Sequence, residues 1–440
     1  MSLVMSSTPQ GCGANILCRH CSQLPPPGSG SALWLSTVAS FIHRFADSAP
    51  EAGFRWALPW IVLGMTASTS SSQPLHLSDI GELLAAVPAM LGFHPTRSFL
   101  VLSLSPAQRS PNNDGRGDAI GAIMRHDLLL PRAEEPIPAP MSAAFERFCT
   151  VCVREGARAV LVVLVDDRLD HPRNHASGSA VRLVEEFADE LALSGIELAG
   201  VHATPEIARG RMWFTPEGEV NGTIPDPESS VVAATRVFGG SPIRRSRNEL
   251  EALLAPSPPE RRRRVGQCID DVIDARDLAY EHAARAGGTD RADRMELESL
   301  LGRLATFGDG AGLEDRECAE VAVLLANPTV RDSVLALAAG AQARAAERMW
   351  VDLARALPDP ERADAAALVA FSAYVRGDGP FAGVALGVAL ESNPRHRLSD
   401  LLDQALQAGL RPEAIRGLAD TGYEIAARLG VVLPPPGPPE

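Results

Sequence analysis

The chain has 440 residues, 45% of them hydrophobic and 22% charged, with a formal net charge of -14. This is the composition of a globular protein with room for two domains of ordinary size, and its acidity argues against duplex DNA or RNA as a general partner, because phosphate repulsion must be overcome locally. No lysine occurs, as a GC-rich genome would produce, which excludes a P-loop lysine, a kinase-type lysine and a Schiff base to pyridoxal phosphate. Arginine remains, and it suits fixed bidentate contacts to oxyanions. Seven scattered cysteines are too few for a disulfide framework, and no apolar run is long enough for a membrane span. The expectation is a cytosolic protein that needs no cofactor and does not engage a membrane.

Residues 1–64 hold three of the five tryptophans but no sustained helix or strand period. They lack the basic start, apolar middle and small-residue cleavage site of a secretory signal. Cys12, Cys18, His20 and Cys21 match no closed zinc spacing. The better reading is a start assigned too early, with Met65 opening the true protein and Ser/Thr-rich 66–73 as its loose leader. Residues 1–73 are therefore expected to be poorly ordered.

Residues 74–256 read as an α/β domain. An amphipathic helix interrupted by Pro88 and capped by Gly92 leads into the polar turn Phe93-His94-Pro95-Thr96-Arg97-Ser98, then a buried-type strand over 99–104. A polar loop (105–118) and an alternating stretch (119–130) predict a hairpin partner. A helix follows over 142–155. Residues 158–165 form a strand that is continuously apolar after Arg158, as a central strand must be. A helix near 178–194, a strand at 196–203 and an extended piece at 210–214 come next. Helices over 229–238 and 246–254 complete a layered domain with a mixed sheet flanked by helices.

Residues 257–431 carry only helical spacing and are dense in alanine. Helices are predicted over 260–286, 292–305, 315–326, 330–338, 342–356, 361–376, 380–391, 397–408 and 412–428, punctuated by Asn327-Pro328, 358–360 and Asn393-Pro394. The fold class is thus α/β followed by an all-α bundle. Within the bundle, 363–394 looks like one tetratricopeptide-type hairpin, with small residues where two helices approach. No second copy recurs at that period. Residues 432–440 are Pro-rich and expected to be disordered.

Several blocks together resemble an actinobacterial family of unknown function, domain-of-unknown-function family four-one-nine-two. Its "aaVP-x-x-LGF-x-P-x-x-S" opening is matched by Ala85, Ala86, Val87, Pro88, Leu91, Gly92, Phe93, Pro95 and Ser98. Its "R-x-DL" strand is matched by Arg125, Asp127 and Leu128, its tryptophan strand loosely by Arg211, Met212 and Trp213, and its "SR-x-x-L" element by Ser246, Arg247 and Leu250. Its "GDG" block is matched by Gly377, Asp378 and Gly379, followed by Ala382, Ala389, Leu390 and Pro394. Family members often carry cysteines after the tryptophan strand. Residues 215–230 have none, so no metal or redox role carries over. The resemblance implies no activity.

The candidate ligand-binding residues are Arg97, Ser98, Arg125, Asp127, Asp166, Arg211 and Arg247. Gathered by the sheet into one cleft, they would suit a phosphate or carboxylate; the favoured plainer reading pairs each arginine with a nearby acid. No catalytic residue can be assigned. His94 and Ser98 lack a nucleophile elbow, and the acidic run Asp166, Asp167, Asp170, His171 is better read as a solvated loop than as a cation site. Cys149 and Cys152 fall inside a predicted helix and read as small buried residues. The arginines at 244, 245, 247 and 261–264 lack interleaved aromatics and read as linker or salt-bridge partners. Two functions follow. The first is a non-enzymatic binding protein, with an anionic ligand or peptide on the α/β domain and a protein partner on the helical half. The alternative is an enzyme acting on a phosphorylated or other anionic metabolite, with Asp127 or Asp166 as base.

Overall fold

The computed structural model describes residues 61–64, 79–106 and 118–436, apart from 133, 173, 217, 219, 239–241 and 308–311. Cys12, Cys18, His20 and Cys21, the leader at 66–73 and most of the 105–118 loop lie outside the described residues.

Seven strands form one sheet: β1 (Ile61–Gly64), β2 (Ser98–Pro106), β3 (Asp118–Asp127), β4 (Ala159–Val165), β5 (Glu197–Thr204), β6 (Met212–Phe214) and β7 (Val220–Thr223). Their order is β1-β3-β2-β4-β5-β6-β7. Only β4 and β5 run parallel; every other pair is antiparallel. The hairpin of β2 with β3, the central position of β4 and the mixed sheet agree with the sequence reading. β1 and β7 were not foreseen there. β7 contains Asn221 and Gly222, a turn-favouring dipeptide, and a four-residue strand carries too little alternation to recognise.

The sheet is apolar on both faces. Phe99, Val101, Met124, Val162 and Leu164 point to one side, where α2 (Ala139–Arg154) and α3 (His175–Leu193) cover them. Phe99 packs against Phe145, Phe148 and Phe187 with ring centroids 5.2, 6.3 and 5.6 Å apart. Leu100, Leu102, Ile123, Val163 and Val165 point to the other side. There α1 (Ile80–Leu91) lies, and the same apolar cluster continues without a break into the helical half.

After α4 (Val231–Phe238) and α5 (Arg247–Leu253), that half comprises α6 (Pro259–Gly287), α7 (Thr289–Thr306), α8 (Asp315–Leu325) and α9 (Pro328–Ser333). A 3-10 turn (Val334–Ala339) leads to α10 (Ala343–Ala356), α11 (Arg362–Val375), α12 (Gly379–Ser392), α13 (Arg397–Gln407) and α14 (Pro412–Arg428). Nearly every residue of α11 is buried, so it is the hub of the bundle. Buried Arg362 at its start donates to the carbonyls of Ala354 at 2.7 Å and of Leu254 at 2.6 Å, tying the two halves together. At the other end Val431 and Leu433 are buried, and the Tyr423 hydroxyl donates to the Pro434 carbonyl at 2.9 Å. The tail expected to be disordered from 432 is therefore held as far as Pro436 by its two apolar anchors. Among the described residues no single helix is long and apolar enough to cross a membrane. A bent pair, α8 with α9 and the 3-10 turn, has suitable composition but turns by 93° and is largely core.

Two details of this frame are testable. Gly92 ends α1 at φ 82, and a β-carbon there would lie 2.4 Å from Nη2 of Arg236, whose guanidinium reaches Asp378 at 3.6 Å. Gly92→Ala is expected to cost about 1–2 kcal/mol from the left-handed backbone alone, more if Arg236 must yield, as read from urea melts. His126, buried beside the Met141 sulfur at 3.3 Å, is held neutral because burial pushes its pKa down from 6.5 to about 4. The unfolded chain therefore binds the extra proton first. The stability from this site is complete above pH 6.5 and drains away as pH falls toward 4, on the order of 3 kcal/mol. Replacing His126 by Phe should flatten this part of the pH dependence of unfolding.

Candidate functional site

The turn between α1 and β2 sets the site. Asp79 caps α1 through Gly81, Gly92 ends it, and residues 93–97 turn the chain into the sheet. Arg97 sits at φ 43, a left-handed conformation that costs free energy for a residue with a β-carbon; its carbonyl accepts from the Leu128 amide at 2.7 Å. A later segment locks the turn through an isolated β-bridge: the His94 amide donates to the Arg244 carbonyl at 2.9 Å, and the Arg244 amide donates to the Gly92 carbonyl at 2.8 Å. This lock carries Ser246, Arg247 and α5 to the mouth of β2 and β3.

Arg125 and Asp127 lie two apart on β3 and so share one face of the sheet, while His126 between them points to the opposite core. Arg125 is 4% exposed. It ion-pairs with Asp127, donates to the Ser98 hydroxyl at 2.9 Å, and reaches the Thr96 carbonyl at 3.4 Å. Burial pulls its pKa below the ordinary arginine value, and Asp127 opposes that pull.

These groups open onto a cavity of about 780 Å³. Phe93, Thr96 and Arg97 line it from the turn, Arg125, Asp127, Leu128 and Leu129 from the end of β3, and Ser246, Arg247, Asn248 and Glu251 from α5. The opposite wall is one stripe of α12, formed by Gly383, Val384, Gly387, Val388 and Glu391. Four of the expected residues, Arg97, Arg125, Asp127 and Arg247, thus line one cavity, and Ser98 lies beneath Arg125. Each lining arginine also has a carboxylate: Arg97 pairs with Asp167 at 3.0 Å, Arg125 with Asp127, and Arg247 with Glu251 at 3.2 Å. Asp167 is held below the usual carboxylate range by its hydrogen bond from Arg97.

The other two candidates stand elsewhere. Asp166 is fully buried at the end of β4, where it takes Nε and Nη2 of Arg168 at 2.8 and 2.6 Å. Arg211 is exposed and pairs with Glu206 at 2.9 Å. Asp170 receives the Asn174 amide at 2.6 Å, so the acidic loop is cross-braced, and among the described residues no three His, Cys, Asp or Glu side chains gather as a metal set. Ser98 donates its hydroxyl proton to the Thr96 carbonyl at 2.8 Å, which directs it away from His94. The basic run is spent internally: Arg261 and Arg264 pair with Asp315 at 3.1 and 2.7 Å, and Arg262 with Asp359 at 2.8 Å.

Two constellations escaped the sequence. Arg236 packs over Gly92 and reaches Asp378, the cap of α12, at 3.6 Å. It thereby joins the glycine of the opening block to the aspartate of the GDG block. The second is a hydroxyl–imidazole–carboxylate chain: Ser399 Oγ lies 2.7 Å from His396 Nδ1, and His396 Nε2 lies 3.0 Å from Asp364. That is the order of a hydrolase triad, but Ser399 has no exposed surface. His396 Nδ1 also caps α13 by accepting the Ser399 amide at 3.3 Å, so the chain is structural. Three-dimensional neighbours 32 residues apart leave no local signal.

A family model described as "Domain of unknown function (DUF4192)" matches residues 81–413. The chain belongs to this family. No curated protein and no solved structure is similar enough to match. The match spans the turn, both cavity strands, α5 and α12, so this DUF4192 chain holds its whole cavity within the family region.

Cys149 and Cys152 lie in the core beneath α2, where burial pushes their thiols up to about 11 and about 12. Both should resist maleimide in the native protein at pH 7.5 and label only upon unfolding, as peptide mass spectrometry would reveal.

Proposed function

We propose that this chain is a non-enzymatic binding protein whose small ligand occupies the cavity between the β2–β3 mouth and α12. One observation carries the reading: three arginines far apart in sequence line a single cavity, one of them buried and one held at positive φ. Strained backbone and buried charge concentrate at binding sites, and about 780 Å³ falls within the range of small-molecule pockets. The mouth lies where β3 ends and β2 begins, beside a turn and loop that carry polar side chains.

The enzymatic alternative draws less support. Asp127 already receives Arg125, and Asp166 is buried and clamped by Arg168, so neither is poised as a base. For the helical half we retain the proposal of a protein partner and of tetratricopeptide-like character in the α11–α12 hairpin, through its Gly377–Gly379 turn and the small residues Ala382 and Ala389. Because α11 is buried and α12 faces the cavity, such a partner would dock on the outer helices.

The test is a thermal-shift screen of the full chain against amino acids, sugar phosphates, nucleotides, polyphosphate and divalent metals, beside Arg97→Ala. The Arg97–Asp167 pair is exposed, so its loss should leave the fold intact. A ligand at a hundredfold its Kd stabilises the folded state by about 2.7 kcal/mol and should raise the melting temperature by a few degrees. Loss of that rise in Arg97→Ala supports the cavity; an undiminished rise overturns it.

A further inference from the structure

The lining of the cavity specifies its occupant further, on the reading that the cavity binds a small ligand. Its arginines are already neutralised: Arg97 by Asp167, Arg125 by Asp127 and Arg247 by Glu251. One lining carboxylate remains. Glu391 is exposed on α12 and forms no ion pair among the described residues. The lining itself therefore carries three guanidiniums and three carboxylates, and Asp167 behind Arg97 adds a further negative charge; the buried Arg362 guanidinium also feels Glu391. A phosphate dianion entering it would meet Glu391, Glu251 and Asp127 as well as the guanidiniums, a poor electrostatic match.

The rest of the lining is apolar or bare. Phe93, Leu128, Leu129, Val384 and Val388 supply apolar surface. Gly387 supplies space: a β-carbon built there meets nothing within 4 Å. On α12, Gly383, Gly387 and Glu391 follow one another at intervals of four, so Glu391 stands about 6 Å along the helix axis beyond Gly387. The cavity thus offers guanidinium donors on the strand and α5 wall, an apolar slot along α12, and at the end of that slot a carboxylate that makes no ion pair among the described residues.

We infer that the occupant is an apolar zwitterion with α-amino acid chemistry: a carboxylate facing the arginine wall, an apolar side chain in the glycine slot, and an ammonium at Glu391. A free amino acid and a short peptide share this chemistry.

Titration calorimetry on the full chain tests it with leucine, leucyl-leucine, N-acetyl-leucine, inorganic phosphate and glucose 6-phosphate. Leucine or leucyl-leucine should bind at least tenfold more tightly than N-acetyl-leucine, which lacks the ammonium, and the tighter of the two identifies amino acid or peptide. Glu391→Gln should remove that preference. Gly387→Leu should fill the slot and abolish binding while melting at or above the wild-type temperature, since leucine favours helix over glycine. Binding of the phosphates but not of the zwitterions, blocked by Gly387→Leu, would overturn the zwitterion and leave the cavity standing. Zwitterion binding that ignores Glu391→Gln would likewise overturn it. Silence from every probe, with folded wild type, would overturn both readings.

Discussion

A strand that is apolar on both faces must be covered on both faces, and β2 imposes that demand on the whole molecule. Phe99 and Val101 face one side while Leu100 and Leu102 face the other, all without exposed surface. The first side is met locally, by the two helices that flank β4 in sequence. The second cannot be met by α1 alone, whose 12 residues cover only part of it. The helical half completes the cover, and its apolar residues join those of the sheet in one cluster. Burial on this scale is the dominant favourable term in folding, so the two halves depend on each other.

The cavity is a by-product of how that cover ends. Helix α12 approaches the sheet where β3 stops being apolar and becomes Arg125 and Asp127. Two glycines on the facing stripe of α12 leave the space unfilled. A well-packed interior has few such voids, and this one opens beside charged groups that are already paired. Its wall is also stiff. Gly92, the strand contact with Arg244 and the positive φ of Arg97 fix the turn on one side, and the buried hub α11 fixes α12 on the other.

A lysine-free chain must make every cationic tie with guanidinium, and the fold uses its planar, multiple donors accordingly. Arg362 joins two carbonyls from separate segments. Arg411 at the start of α14 donates to Glu155 at the end of α2 at 2.9 Å, and Arg276 grips Glu296 at 2.6 and 3.0 Å. Arg331 lies between Asp332 and Asp364, both within 3.0 Å. The ion pairs of Arg276 and Arg331, which are largely buried, are costly to break singly, which makes them effective at specifying which helices meet. In the run at 261–264, Arg261 and Arg264 pair with Asp315 and Arg262 with Asp359, while exposed Arg263 pairs with its neighbour Glu260.

The sequence by itself determined the local elements, because periodicity and punctuation are local. The predicted helices from α6 to α14 fall close to those found, except that the one read over 330–338 is α helix only to Ser333 and 3-10 beyond it; Gly92 ends α1 as read, and the two-residue spacing of Arg125 and Asp127 already put both on one strand face. Residue type also marked Arg97, Arg125 and Arg247 as candidates. Only the tertiary structure decided that these three line one cavity while Arg211 and Asp166 stand apart, since that rests on strand order and on a contact between residues 92–94 and 244. It alone paired Arg97 with Asp167, brought Arg236 to Asp378, and set His396 on Asp364. Partners 30 to 150 residues apart are joined by packing that no short window of sequence contains, and so are the glycines of α12 with the mouth of β3.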